Sequence, residues 1–181
     1  ITQGCSAVFS KKNVITKMKF PISILPATVC VREFFNHLCM MAITVVLLIL
    51  FGYYPSVYWL GLIYYAFCAF MFLEALALVT SVLTMMWRDV KKLVTSLMRM
   101  LMYLSPVLWP AAFSGIPVMS FIMKLNPVYY IVTGYRDCMF FEKSILAHPA
   151  LTVYFWIVVL VLFAVGSALM YHFKRKMVDM I

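Results

Sequence analysis

Charged side chains are scarce in this sequence. Only 12% of its 181 residues are charged, while 66% are hydrophobic. Soluble domains are about half apolar and about a quarter charged, so the composition excludes a water-soluble fold. No stretch rich in serine, glycine or charge divides the chain either. The sequence therefore predicts one integral membrane domain over residues 1–181.

The sequence also lacks the usual signatures of covalent chemistry. None of its six glycines precedes a lysine, so no P-loop is present to bind ATP. His37, His148 and His172 are too dispersed for an H-E-x-x-H metal site, and no Ser/His/Asp set is visible. The five cysteines show no C-x-x-C spacing, and those within apolar runs are expected to be small buried residues. We expect no enzyme activity, metal or cofactor in the chain alone.

Basic residues account for the formal net charge of +9, and they are grouped. Ten of the fifteen lie in three short clusters that alternate with apolar runs. This is the positive-inside pattern of a multi-span membrane protein rather than a nucleic-acid surface. The clusters are Lys11, Lys12, Lys17 and Lys19; Arg88, Lys91 and Lys92; and Lys174, Arg175 and Lys176.

The apolar runs predict an all-α membrane protein, a polytopic bundle with four transmembrane helices. The expected spans are residues 27–51, 59–87, 92–109 and 150–173. The first holds about 25 residues, or about 37 Å at 1.5 Å per residue, enough to cross about 30 Å of hydrocarbon. Four crossings place both ends of the chain, and all three basic clusters, in the cytoplasm.

Three prolines interrupt the uncharged run that ends the third span. With Pro106, Pro110 and Pro117, this run is too broken for one simple helix. We expect the span to end near Pro106 to Pro110. A re-entrant hairpin then follows at the outer face over residues 116–141. Its second helical piece begins at Asn126-Pro127, since proline suits a first helical turn.

Glu74 lies near mid-depth of the second span, where carboxylates are rare. One interpretation makes it a contact for a proton or a substrate. The other pairs it with Arg99 or keeps it protonated in a helix contact. Arg99 and Arg32 are expected at similar depths near the inner face. Glu33, next to Arg32, is therefore an alternative to Glu74 as the partner of Arg99.

Two further features each have two interpretations. Residues 1–21 fit an amphipathic cytoplasmic segment with a helix over about 6–16, which either lies on the membrane surface or docks a partner. Six aromatic residues gather at one outer end and form either an interfacial belt or a track on which sugar rings stack. They are Tyr53, Tyr54, Tyr58, Trp59, Tyr64 and Tyr65.

Several motifs, taken in order, resemble those of ABC-type-2 exporter permeases. Residues 13–26, from Asn13-Val14-Ile15 to Leu25-Pro26, are similar to the cytoplasmic loop and the start of the third helix in that family. Four more motifs follow in the family's order: Arg88-Asp89, Ser105-Pro106-Val107-Leu108, Asn126-Pro127 and Tyr135-Arg136-Asp137. Within the family, the chain looks most similar to permeases for wall teichoic acid, with O-antigen and capsule permeases as close relatives.

The resemblance implies a transport subunit of the bacterial plasma membrane. Such permeases have six spans, so the four expected here would match the third to sixth, with the first two missing. Two copies form a homodimer, and two separate ATPase subunits bind ATP and Mg beneath it. The substrate would be a polymer linked to polyprenyl diphosphate. A permease for a drug or small lipid is the alternative, and a membrane enzyme acting on polyprenyl lipids fits less well.

The resemblance also implies roles for individual residues. ATPase contacts would come from the first segment and from the second basic cluster: Ser6, Val8, Phe9, Lys11, Lys12, Asn13, Ile15, Arg88, Asp89, Lys91 and Lys92. Substrate-path candidates are Arg32, Glu74, Arg99, Tyr64 and Tyr65. The outer hairpin that shapes the exit would use Asn126, Pro127, Tyr135 and Arg136.

Overall fold

A computed structural model describes residues 24–87, 89–104 and 117–179. Within these ranges the regular structure is entirely helical, as the sequence predicts. Two short 3-10 helices, Val57–Leu60 and Ile145–Ala147, accompany six α-helices. These are α1 (Ile24–Leu50), α2 (Gly61–Met86), α3 (Val90–Leu104), α4 (Pro117–Leu125), α5 (Pro127–Phe140) and α6 (Pro149–Asp179).

Among the described residues, three helical stretches are long and apolar enough to cross a membrane. They are Leu25–Leu50 with 26 residues, Val57–Met86 with 30 and Pro149–His172 with 24. Each exceeds the roughly 20 residues that a bilayer requires. They overlap the predicted spans 27–51, 59–87 and 150–173. The chain is therefore a multi-pass helical membrane protein.

The predicted third span, residues 92–109, is described only in part. Its helix α3 covers 15 residues, about 22 Å at 1.5 Å per residue. Residues 105–109 lie outside the described ranges, so a fourth crossing stays a prediction. The same holds for the re-entrant hairpin over 116–141, of which α4 and α5 are described as two separate helices.

The described residues divide into two compact units. The first contains residues 24–37, 70–87, 89–96 and 159–179, and the second contains residues 38–69, 97–104 and 117–158. In the first unit, Leu25, Leu78, Val82 and Met170 form a buried cluster against which Met85 and Leu169 pack. The second unit buries aromatic residues instead, among them Tyr65, Tyr130 and Phe155.

Hydroxyl groups in the first unit are satisfied by the backbone of their own helix. On α2, Thr80 donates to the carbonyl of Leu76 at 2.7 Å, and Thr84 donates to the carbonyl of Thr80 at 2.7 Å. Ser81 donates to the carbonyl of Leu78 at 3.0 Å. This arrangement lets buried polar residues lie in a membrane span without leaving a donor unpaired.

A glycine allows α6 to approach α2 closely within the first unit. A β-carbon added at Gly166 would lie 3.0 Å from the β-carbon of Leu78 and 3.3 Å from the backbone nitrogen of Val79. Neither atom can rotate away, because both belong to the rigid part of α2. Small residues at helix contacts are common in membrane proteins, since they permit this close packing.

Enlarging Gly166 is therefore expected to destabilise the first unit. We predict that Gly166→Val lowers the free energy of unfolding by about 1–3 kcal/mol, the usual effect of overpacking a core. The matched control is Ala168→Val, which adds bulk to an exposed position of the same helix. Thermal unfolding in mild detergent measures both variants. Equal stability of the two would contradict a close helix contact at Gly166.

Candidate functional site

Helix α5 holds the centre of the second unit, and its first residues fix its position. The buried side chain of Asn126 caps the helix by accepting a hydrogen bond from the backbone nitrogen of Val128 at 2.9 Å. Its amide also donates to the carbonyl of Leu101 on α3 at 3.1 Å. Pro127 occupies the first turn, where its missing N–H leaves no donor unpaired. The Asn-Pro pair thus begins α5 and ties it to α3.

A series of hydrogen-bonded hydroxyl groups joins α5 to the N-terminal parts of α2 and α6. The indole Nε1 of Trp156 donates to the Tyr64 hydroxyl at 3.0 Å, and that hydroxyl lies 3.4 Å from the Tyr130 hydroxyl. Tyr130 lies 3.0 Å from Oγ1 of Thr152, which donates to the carbonyl of His148 at 3.1 Å.

These contacts fix which group donates in each hydrogen bond of this series. Thr152 uses its only proton on the carbonyl of His148, so Tyr130 must be the donor to Thr152. Tyr64 must then donate to Tyr130, because Tyr130 uses its only proton on Thr152, and Tyr64 itself accepts from Trp156. Burial raises the pKa of the Tyr130 hydroxyl, so it stays protonated and remains a donor at neutral pH.

Asp137 forms a second link, at the other end of α5. Its side chain is 8% exposed. Oδ1 accepts from the Lys143 ammonium at 3.3 Å, and Oδ2 lies 3.1 Å from Nε2 of His148. The backbone N–H of Lys143 also donates to the Asp137 carbonyl at 3.1 Å. A buried carboxylate is thereby balanced by a half-exposed cation and tied to the residue that precedes α6.

Cys138 follows Asp137 and is buried. Burial raises the pKa of the Cys138 thiol, and the neighbouring Asp137 carboxylate raises it further. The thiolate is the reactive form of cysteine, so this thiol is unreactive at neutral pH. Cys138 therefore acts as a small packing residue, as its sequence context predicts.

Loss of the Asp137 charge is expected to destabilise the second unit. We predict that Asp137→Asn lowers the free energy of unfolding by about 1–3 kcal/mol, because hydrogen bonds to charged groups contribute this much and the amide leaves Lys143 without its counter-charge. The control is Asp89→Asn, whose ion pair with Lys92 is exposed on both sides. Thermal unfolding should show no change there. Equal stability of both variants would contradict the link.

The first unit contains the predicted mid-span carboxyl group. Glu74 lies beside Cys30 of α1, whose thiol interacts with it and also donates to the carbonyl of Leu73 at 3.8 Å. Oε2 of Glu74 is buried, and within the described residues it has no hydrogen-bond partner. Glu33 forms an ion pair with its neighbour Arg32 at 3.0 Å. The proposed pairings of Glu74 and Glu33 with Arg99 stay predictions.

The remaining site candidates are placed as follows. Lys91 and Lys92 are exposed, and Lys92 lies 3.6 Å from the exposed Asp89. Tyr65 is buried, while Tyr64 keeps part of its ring accessible. Tyr135 and Arg136 are partly buried on α5, and Arg99 is exposed on α3. Arg88 and the seven candidates between Ser6 and Ile15 lie outside the described residues.

Sequence reasoning missed most partners of α5. Thr152 meets Tyr130, and His148 meets Asp137, only through folding, and no spacing along the chain predicts either contact. The sequence does single out Asp137 itself, as the last residue of the Tyr135-Arg136-Asp137 motif. Across the part of the chain that the structure describes, no three His, Cys, Asp or Glu residues come together to hold a metal ion.

Comparison with known proteins identifies the family. The sequence matches the ABC-2 type transporter model over residues 2–140, most of the chain. The chain therefore belongs to the ABC-2 type transporter family. This confirms the resemblance seen in the ordered motifs and agrees with a transport subunit rather than an enzyme.

Curated relatives share low but extended similarity with this ABC-2 type transporter chain. The O-antigen export system permease protein RfbA of Myxococcus xanthus is 24% identical over 143 residues, covering 78% of this chain and 55% of the relative. Two RfbA permeases of Klebsiella pneumoniae are 24% identical over 179 residues, covering 96% and 68%, and 27% identical over 138 residues, covering 75% and 52%. The chain spans about half to two thirds of these relatives' length.

Proposed function

We propose that this chain is the permease subunit of an ATP-driven exporter that moves a polyprenyl-diphosphate-linked polysaccharide out across the bacterial plasma membrane. The family match over residues 2–140 carries the proposal. The relatives named for O-antigen export support a polysaccharide as the cargo. Long apolar helices and the absence of a P-loop motif support a membrane subunit that depends on another protein for ATP.

Energy would enter through contacts at the cytoplasmic face. Two ATPase subunits bind ATP and Mg, and their closure rocks two copies of the permease against each other. The amphipathic segment over residues 1–21 docks into the ATPase. Asp89, Lys91 and Lys92 provide a second contact, which their exposure on the described structure supports. In this arrangement four spans cross the membrane, and both ends of the chain face the cytoplasm.

The pathway would lie between the two permease copies. Arg32, which is ion-paired with Glu33, and Arg99 are exposed cations on apolar helices. Positive charge at these positions attracts an anionic group, and the diphosphate of the lipid-linked cargo is such a group. Tyr64 presents part of an aromatic ring on which a sugar can stack, and the hairpin formed by α4 and α5 shapes the exit. Glu74 and Tyr65 remain candidates on the same path.

The identity of the polymer is the finer part of the proposal. The ordered sequence motifs favour wall teichoic acid, while the named relatives favour O-antigen. Both are chains built on a polyprenyl diphosphate, so the same permease chemistry serves either. Export of a drug or small lipid is the second candidate, because the same fold and family can carry it.

Coupling to an ATPase can be tested by recovery from membranes. We predict that the tagged full-length protein, extracted in mild detergent, brings down a P-loop ATPase in equal amount. Phe9→Asp should lose this partner, because a charge would disrupt the apolar face of the docking segment. Phe141→Asp makes the same change at an exposed residue of the outer hairpin and should keep the ATPase.

Two results would contradict this mechanism. If the wild-type protein brings down no ATPase, that result would contradict the ATP-driven mechanism. Loss of the ATPase from both variants would show a general folding defect rather than a specific docking segment.

The cargo can be identified by what accumulates when the protein is depleted. We predict that polyprenyl-linked polymer builds up at the inner face of depleted cells, because synthesis continues while export stops. Mass spectrometry of the lipid extract should show polyol phosphate repeats for teichoic acid or sugar repeats for O-antigen. Re-expression of the protein should clear the material. Normal lipid-linked polymer in depleted cells would favour the drug or small-lipid alternative.

A further inference from the structure

Helices α2 and α5 interlock at two pairs of residues in the second unit. Gly61 of α2 faces Cys138 of α5, and Gly134 of α5 faces Tyr65 of α2. In each helix the glycine and the larger residue are four positions apart, so they lie one turn apart on the same face. The pairing runs in opposite order along the two helices. Each helix therefore packs its larger residue against the glycine of the other helix.

The fit is close at both pairs. A β-carbon added at Gly61 would lie 2.5 Å from Sγ of Cys138 and 3.8 Å from its β-carbon. A β-carbon added at Gly134 would overlap the ring of Tyr65. Tyr65 is 4% exposed and Cys138 is 1% exposed. Both side chains are therefore enclosed by the protein.

The ring of Tyr65 is also held from the side by α5. Its centroid lies 5.4 Å from that of Tyr130 and 6.1 Å from that of Tyr135. Gly134 and its two flanking aromatic residues thus form a slot, and Tyr65 fills it. Aromatic pairs at these distances add attraction beyond simple burial.

Contacts with α6 hold α5 from another side. Tyr130 packs on the fully buried ring of Phe155, with centroids 4.9 Å apart, and bonds to Thr152. Asp137 contacts His148 just before α6 begins. Separating α5 from α2 would expose the buried ring of Tyr65 and break the contact between the Tyr64 and Tyr130 hydroxyls, while α6 would still hold α5. Close-packed contacts of this kind do not stretch gradually.

We propose that α5 and the outer part of α2 stay locked together throughout the export cycle and move as one rigid body. The exit for the polymer then opens by movement of other contacts, not by α5 swinging away from α2. This inference rests on the proposed export function, since it concerns motion during that cycle. It assigns Gly61, Tyr65, Gly134 and Cys138 as positioning residues for the outer hairpin.

A single engineered thiol tests the contact between α2 and α5. The distance of 3.8 Å between the β-carbons at Gly61 and Cys138 equals the usual separation in a disulfide, about 3.8 Å. Gly61→Cys in the full-length protein should therefore form a disulfide with Cys138 in native membranes. Diamide accepts the two electrons and two protons that the thiols lose. The oxidation is run at mildly alkaline pH, because the Cys138 thiol is otherwise protonated.

Disulfide yield and export are measured on the same cells. Yield is followed by blocking free thiols with a large maleimide before and after reduction. We expect the disulfide to form in most molecules and the rate of polymer export to remain unchanged after oxidation. Export that falls on oxidation and returns on reduction would overturn the proposal, because α5 would then have to leave α2. Failure of the disulfide to form would overturn the interlocked geometry.

Two matched variants make the result specific. Ile63→Cys places a thiol on an exposed face of α2 and should give no disulfide with Cys138. Gly61→Cys combined with Cys138→Ser should lose the disulfide, which excludes pairing with the other cysteines. Gly134→Ala in the Gly61→Cys background should lower the disulfide yield, because the added methyl group pushes Tyr65 and α2 away. An unchanged yield in that variant would contradict the interlock.

A second cross-link keeps the test open if Gly61→Cys does not fold. Tyr53 lies in the turn between α1 and α2, and its exposed ring meets the exposed ring of Phe140 on α5 edge to face at 5.5 Å. Tyr53→Cys with Phe140→Cys should be bridged by a short bis-maleimide without loss of export, because this turn leads into α2. Loss of export would overturn the proposal. Wild-type cells that export no polymer would instead contradict the proposed function, and the cross-link yield would still report the contact between this turn and α5.

Discussion

Inside a membrane a hydroxyl, amide or carboxyl group has no water to bond with, so it must find a partner within the protein. In the first unit, Thr80, Ser81 and Thr84 use carbonyl groups of their own helix. In the second unit, the partners lie on different helices, as with Tyr64, Tyr130 and Thr152. A hydrogen bond between helices sets their separation, whereas the first unit relies for this on close packing, as at Gly166, and on the weak bond from the Cys30 thiol to the Leu73 carbonyl. The two units thus meet the same constraint in different ways.

The placement of α5 follows from this difference. Its first residue is fixed by the Asn126 amide, its middle by the hydroxyl chain, and its last turn by Asp137. Such bonds require short distances, and glycine supplies them. Gly61 and Gly134 bring the backbones close enough for the Tyr64 and Tyr130 hydroxyls to meet. Packing and hydrogen bonding therefore specify one position for the helix, since neither is satisfied if the helix shifts by a turn.

The sequence predicts the elements better than their contacts. Length and hydropathy are local properties, so the stretches Leu25–Leu50 and Pro149–His172 are close to the predicted spans. The Asn126-Pro127 helix start also follows from local chemistry, and it is present. Asp137 is different, because its contacts with Lys143 and His148 depend on how a loop returns to α5. Tyr65 could be assigned to an aromatic belt by composition, but the Gly134 slot that buries it is a tertiary feature.

Within the described residues, two buried side-chain polar atoms lack a hydrogen-bond partner, and the free-energy cost of leaving them unpaired differs. Oγ of Ser56 lies before a short 3-10 helix, and burying an unpaired neutral hydroxyl costs about 1–3 kcal/mol. Oε2 of Glu74 belongs to a carboxyl group in the middle of a span, where an unsatisfied oxygen costs considerably more. Stability alone would favour leucine or glutamine at that position. The Cys30 thiol interacts with the same carboxyl group, so α1 supplies part of its surroundings, and a role for Glu74 on the substrate path stays a prediction.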